Sequence, residues 1–485
     1  MCGFRRNLKA AFFFEKVENY YKKYLTQLVK NVAPPLKILN FKEIHLMSDT
    51  FMLTLKNRLD ACISELDSIH YLFCQNPKTD FTRKRKVSFE DTIRFMIELQ
   101  SKSLPNEVID HFGHTPDSPS VSAVLQQREK ILIEGWKYLF SLFTAECMSI
   151  SSPLHKGYRL LACDGSDINI FRNPDDEESF IKEGECGYNA IHLNALFDLL
   201  GCTYYDFDIQ GKKKLHERQA LNTMVDRYLD TTPTIFIADR GYESLNTFAH
   251  IIKKKQFFLI RIKDINSNGI LSAYELPDSE FDTYIETTLT RRHTKETVNH
   301  PETYTIIPQY TDFDFIDDKS QYFDISFRIA RFMTNEGKYV CVATNLPDDQ
   351  FSLGELKNLY KLRWNEETSF RELKYTIGLV NFHSKKRDFI TQELIARLIV
   401  YNYCQMVNRH AAHLQPPPKD SDGKYRLKVN FATTANICRS YMRQGGDESK
   451  LLLLIRKHMS YIKCNAKYPI RLRPKRNRDF VYRVA

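Results

Sequence analysis

Apolar positions change their spacing along the chain, and each change marks a new kind of element. From Ser48 to about Lys156 they recur at helical intervals. Ser88-Phe-Glu-Asp91 has the form of a helix start, and Ile93, Met96 and Ile97 follow on one face. At Tyr158 the pattern turns to short apolar runs. Tyr158–Cys163, Ala190–Phe197 and Cys202–Ile209 predict three strands of an antiparallel meander. A helix over Leu215–Leu229, a strand over Thr234–Ala238, a helix over Glu243–Lys255 and a strand over Gln256–Ile262 follow. The order βββαβαβ predicts a mixed sheet covered by helices. From Asp264 to about Gln350 the alternation stops. This stretch is rich in Thr, Tyr, Phe and Asp and reads as a β-rich insertion. Helical spacing returns from Ser352, and again from about Thr391 to His413.

These changes divide the chain into a possible N-terminal extension (1–46), a helical region (47–155), and an α/β core made of 156–263 and 352–413. The insertion occupies 264–351, and a basic C-terminal region runs from 414 to 485. Met47 is an alternative start, because regular patterning begins just after it. Within the helical region, Leu104–Gly113, a Gly/Pro turn, and Ser120–Lys130 with Gln126, Gln127, Arg128 and Lys130 fit a helix-turn-helix. They fit an ordinary helical bundle equally well.

Composition narrows the class. The chain has 485 residues, 42% hydrophobic and 27% charged, which suits a globular protein of several domains. Its net charge of +10 is compatible with a polyanionic partner. The basic, Pro-broken stretch Lys467–Arg478 suits a phosphate backbone. Eleven Cys without a C-x-x-C pair fit free thiols in a reducing cytoplasm rather than a zinc ribbon. No apolar run reaches the ~18 residues of a membrane span.

The candidate chemistry lies in three places. Tyr360 to Lys374 reads as one helix. At about 100° per residue, Tyr360, Arg363, Glu367 and Lys374 fall within one narrow arc. Glu366 points off that face, so Glu366→Ala is expected to be mild. Asp164 and Asp239 each follow an apolar strand directly. A lone Asp there would serve as a turn or cap. Together with Glu367, the two can hold two divalent ions about 4 Å apart, and oxygen-only donors favour Mg²⁺, with Mn²⁺ as a substitute. Arg363 and Lys374 would hold phosphates and Tyr360 would hydrogen-bond one. Arg240, next to Asp239, is counted with them as a DNA contact.

The spacing Tyr-x2-Arg-x3-Glu-x6-Lys, met by Tyr360, Arg363, Glu367 and Lys374, resembles the signature of bacterial DDE transposases of the insertion-sequence-four family. The Arg363-Trp364 pair adds to the match. Asp164-Gly-Ser resembles that family's first acidic motif, and Ile237-Ala-Asp239-Arg-Gly-Tyr242 its second. The resemblance implies a ribonuclease-H-like catalytic core carrying a β-rich insertion, plus a helical N-terminal DNA-binding domain. It implies that Asp164, Asp239 and Glu367 are catalytic metal ligands. It implies cut-and-paste transposition through hairpin intermediates, with element terminal inverted repeats and target DNA as partners, a homodimer at synapsis, and a cytoplasmic, nucleoid-associated protein. Two other readings use the same residues: a catalytically idle DNA-binding protein of transposase descent, and a two-metal nuclease without strand transfer.

Overall fold

The computed structural model describes residues 50–182, 187–265, 267–334, 337–414 and 425–463. The expected N-terminal extension, the Pro416–Pro418 linker and the basic stretch Lys467–Arg478 lie outside the described residues.

Five helices open the described chain: α1 (Phe51–Ser68), α2 (Phe89–Glu98), α3 (Leu104–Phe112), α4 (Val121–Glu129) and α5 (Ile133–Ile150). The expected start of α2 forms a capping box, with Ser88 and Asp91 each satisfying the other's backbone N–H. The sheet strands are β1 (Arg159–Ile170), β2 (Phe180–Ile181), β3 (Tyr188–Asp198), β4 (Thr203–Gly211), β5 (Thr234–Ala238) and β6 (Phe257–Ile262). Helices α6 (Glu217–Asp226) and α7 (Leu245–Lys253) flank β5 in sequence, so the expected βββαβαβ order is present with the two-residue β2 added to it. Strands β1, β3 and β4 are antiparallel neighbours, while β5 is parallel to β1 and β6 to β5.

The segment read as an insertion does not stand apart. It contributes β7 (Phe281–Thr290), a short α8 (Lys295–Asn299), β8 (Tyr304–Ile306), β9 (Tyr322–Met333) and β10 (Tyr339–Thr344). Strand β10 pairs antiparallel with β6, β9 with β10 and β7 with β9. The result is one ten-stranded sheet in the order β2-β3-β1-β5-β6-β10-β9-β7-β8, with β4 on β3. Side chains alternate between the two faces of a strand. On β1, Leu160 and Ala162 enter one core and Leu161 and Cys163 the other.

The first of those cores also holds the helices. After β10 come α9 (Leu353–Leu362), α10 (Trp364–Arg371) and α11 (Arg387–Leu414). Most residues of α11 from Phe389 to Asn408 are buried on every side, as befits a helix enclosed by others. Strands β11 (Tyr425–Val429) and β12 (Met459–Lys463) and helices α12 (Phe431–Gln444) and α13 (Glu448–Lys457) close the chain. Apolar residues of α1, α2, α5, α11, α12 and the sheet belong to a single core. The expected boundary at residue 155 therefore does not separate two cores.

Polar contacts reinforce that union and change the reading of α4. Arg128 is 1% exposed. Its Nε donates to Gln392 Oε1 at 2.8 Å, one Nη pairs with Glu393 at 3.2 Å and the other donates to the Phe389 carbonyl. Gln127 is buried too. A helix-turn-helix would need these side chains on the DNA; here Arg128 is a strut to α11. Burial opposes the Glu393 charge, but His383 and Arg128 hold its carboxyl down at about 2. Removing one partner of such a buried pair strands the other charge. Arg128→Met is expected to cost about 3–5 kcal/mol of unfolding free energy, read from urea denaturation. A cost below about 1 kcal/mol, the scale of an exposed pair, would show that the strut carries little.

Candidate active site

The site forms where the β1–β5 pairing stops. The parallel register sets Cys163 opposite Ala238, and Asp164 and Asp239 are the next residues. Strand alternation turns both toward the face that α9 and α10 cover, with Leu160, Ala162, Ile235 and Ile237 before them on that face. One expectation is corrected here: β1 does not end at Cys163. It runs on to Ile170, paired with β3 throughout, so Asp164 lies inside the strand. What ends is its second neighbour, and this leaves the Asp164 side of the strand open to side chains.

The helix expected from Tyr360 to Lys374 is a helical path in three parts. A capping box formed by Ser352 and Glu355 starts α9, as its sequence predicts. Helices α9 and α10 meet at Arg363, which keeps helical angles. A π-helical turn from Glu372 to Thr376 follows. Such turns often mark functional sites, and this one carries Lys374.

Arg363 is the centre of the arrangement. Its side chain is buried, and one Nη donates to Asp164 Oδ2 at 3.1 Å while the other donates to Glu367 Oε1 at 2.9 Å. The rings of Trp364 and Tyr360 lie 5.3 and 6.0 Å from the guanidinium carbon. Burial pushes the Asp164 carboxyl up, Arg363 draws it down, and the charges of Asp239 and Glu367 push it up again. The three carboxylates are thus electrostatic neighbours. Burial also raises the Tyr360 hydroxyl, which feels Arg363, Arg261 and Asp239. Lys374 donates to the Asp167 carbonyl at 2.6 Å, and burial lowers its ammonium pKa. Arg240 is exposed in the turn after Asp239, whose carboxylate accepts from the Gly241 N–H at 2.7 Å.

Oxygen-only donors, with the charges of Asp239 and Glu367 both bearing on Asp164, suit a hard divalent cation. Among the described residues, however, no three His, Cys, Asp or Glu side chains converge closely enough to hold an ion as they stand. Arg363 occupies the space between two of them.

A second network, whose connections the sequence does not reveal, sits behind β1. His192 on β3 is buried, with Nδ1 2.5 Å from Asp167 Oδ1 and Nε2 3.1 Å from Glu217 Oε1. Lys212 pairs with the same Asp167 oxygen at 2.8 Å. Burial alone would lower the His192 pKa, but the two carboxylates outweigh it and raise it. Lys212 and His192 hold Asp167 at about 2 against its burial. The imidazole lies flat against Gly165, where an added Cβ would meet Nε2 at 2.0 Å. Asp167 anchors Lys374 through its carbonyl and His192 through its carboxylate. A signal was present: His192 is a polar residue inside the apolar run Ala190–Phe197, and a buried polar group needs a partner.

Glu366 corrects another expectation. It points off the face of Glu367, but toward the interior rather than toward solvent. Glu366 is 0% exposed, whereas the Glu367 side chain is 42% exposed. Neither Glu366 carboxyl oxygen has a well-formed hydrogen bond; the Asp164 backbone N–H is the donor that bears on it, and it draws the pKa down only in part. Burial, with Asp164 nearby, raises its pKa well above the usual carboxylate range. A buried polar group without a partner costs stability. Glu366→Met, which keeps the volume, is expected to raise the unfolding free energy by about 1–3 kcal/mol, whereas Glu366→Ala would leave a cavity. Urea denaturation of the Met variant checks this; a loss of stability would show that the carboxyl is satisfied in the folded chain.

Comparison with known proteins places this geometry in a family. The family profile described as "Transposase DDE domain" matches residues 155–403. Transposase InsG for insertion sequence element IS4, from Escherichia coli strain K12, is 24% identical over 365 residues, which cover 69% of this chain and 73% of that protein. A cryo-EM structure of a piggyBac transposase synaptic complex with hairpin DNA gives a TM-score of 0.43 at 9% identity, with 84% of each chain covered. The family match covers half of the chain and contains Asp164, Asp239, Arg240, Tyr360, Arg363, Glu367 and Lys374. The chain belongs to the DDE transposases of the insertion-sequence-four family.

Proposed function

We propose that the chain cuts and rejoins the ends of its own insertion element by two-metal phosphoryl transfer, in a cut-and-paste reaction that passes through hairpin intermediates. The observation that carries this reading is the register of β1 and β5. It brings Asp164 and Asp239 side by side, and Arg363 ties Asp164 to Glu367. The strand order β4-β3-β1-β5-β6, with β4, β3 and β1 successively antiparallel and β5 and β6 parallel to β1, supports a ribonuclease-H-like core.

In this reading Asp164, Asp239 and Glu367 hold Mg²⁺, or Mn²⁺ in its place, through carboxylate oxygens. Two such ions, when bound, activate a water or a 3′-hydroxyl and stabilise the leaving oxygen of an in-line displacement. The protein's own groups orient the strand. Arg363 presents a planar fork that matches a phosphate. Lys374 supplies a point charge from the π-helical turn, and Tyr360 a hydroxyl. Arg240 meets the DNA from the turn after Asp239. In cleavage, water attacks phosphorus and the 3′-oxygen leaves as a hydroxyl. In joining, that 3′-hydroxyl attacks a target phosphate and expels the target's own 3′-oxygen. The partners are the element's terminal inverted repeats and target DNA, with a homodimer at synapsis. The place of action is the bacterial cytoplasm, at the nucleoid.

The test is a plasmid carrying the inverted repeats found in the DNA flanking the gene, incubated with the protein and Mg²⁺. Cleaved ends and strand-transfer products are expected. Asp164→Ala, Asp239→Ala and Glu367→Ala should each lower cleavage by more than about 10³-fold, the scale on which a catalytic constellation fails when one member is removed. End binding in a gel-shift assay should persist. Full activity in Glu367→Ala would sink the assignment, and cleavage without joining would reduce it to a nuclease.

A further inference from the structure

Arg363 does two things that cannot happen at once. Its two Nη groups are spent on Asp164 and Glu367, at 3.1 and 2.9 Å. The proposed function asks those same carboxylates to hold a divalent ion, and asks the same guanidinium to hold a phosphate. A divalent cation and a guanidinium repel each other and compete for the same oxygen lone pairs. Occupation by one excludes the other.

We propose that Arg363 is an exchangeable cation: without DNA it neutralises Asp164 and Glu367, and a DNA phosphate draws it away so that a divalent ion takes its place. The inference rests on the proposed function and concerns how that site is controlled.

Three features carry it. First, one guanidinium bridges the two carboxylates, 3.1 Å from Asp164 and 2.9 Å from Glu367. It supplies the positive charge between two neighbouring acidic side chains and keeps them close. Second, the present arrangement leaves Arg363 incompletely satisfied. Its Nε is buried and has no hydrogen-bond partner. A DNA phosphodiester offers two non-bridging oxygens with several lone pairs to the fork, so the move gives the orphaned donor an acceptor. Third, the exchange leaves neither the carboxylates nor the phosphate without a cation, and it takes the site of Asp164, Glu367 and Arg363 from a net charge of −1 to neutrality. The phosphate brings the negative charge that Arg363 follows, and the incoming ion replaces the positive charge the carboxylates lose. Binding of DNA and of metal is then positively coupled, and linkage makes the coupling reciprocal.

The measurement is Mn²⁺ binding to the full chain, read as loss of the free-ion electron paramagnetic resonance signal. It is made with and without a duplex carrying the flanking inverted repeat. Mn²⁺ affinity is expected to rise about tenfold or more on adding the duplex, within the usual range of allosteric coupling. In Arg363→Gln, affinity without DNA should already match the DNA-bound value, and the duplex should add nothing. Equal Mn²⁺ affinity of the natural chain with and without DNA would overturn the exchange. So would weaker Mn²⁺ binding in a folded Arg363→Gln, which would make Arg363 an organiser of the ligands instead. If that variant does not fold, the coupling measured in the natural chain decides alone. No Mn²⁺ binding under either condition, or binding unchanged in Asp164→Asn, would remove the proposed function itself, an outcome distinct from loss of coupling.

Discussion

The parallel register of β1 and β5 is the constraint from which the site follows. Once Cys163 lies opposite Ala238, Asp164 and Asp239 must emerge next to each other on the same face. A one-residue slip would turn one of them to the other side of the sheet. Buried apolar side chains on both faces hold that register, because the alternate residues of both strands enter two different cores. Two carboxylates side by side at a sheet's edge are costly. The local structure answers with a guanidinium from the helical junction and a backbone N–H at Gly241.

Support for the site is layered. Arg363 and Glu367 come from the helical path above the sheet, while His192, Asp167 and Glu217 lie behind β1. Gly165 is where the layers meet, since the His192 imidazole occupies the space a side chain would take. Lys374 is tied to this second layer through the Asp167 carbonyl. Lys374 and the strand that carries Asp164 thus share one scaffold.

Much of this was legible in the chain. The order of strands and helices follows from apolar period, and the capping boxes at Ser88 and Ser352 were readable as such. What misled was the assumption that polar residues end a strand. Asp164-Gly-Ser-Asp167 looks like a turn, yet pairing with β3 carries β1 through it. The helical wheel separated Glu366 from Glu367 but could not say that the other face was interior. Arg128 looked like a base-reading side chain because nothing local announces a partner 265 residues away. Insertion strands that prolong the core sheet are equally invisible to local pattern, since pairing partners are a long-range choice.

The enclosed helix α11 has a consequence for how the protein comes into being. The apolar faces of α1, α2 and α5 are completed by residues between Phe389 and Ala411. A ribosome makes the chain from the N-terminus, so those early helices wait through the synthesis of the whole sheet before their central partner appears. Arg363, Glu367 and Lys374 are made just ahead of it. A growing chain thus lacks the assembled candidate site until it also has the means to close its core, and the site and the fold arrive together.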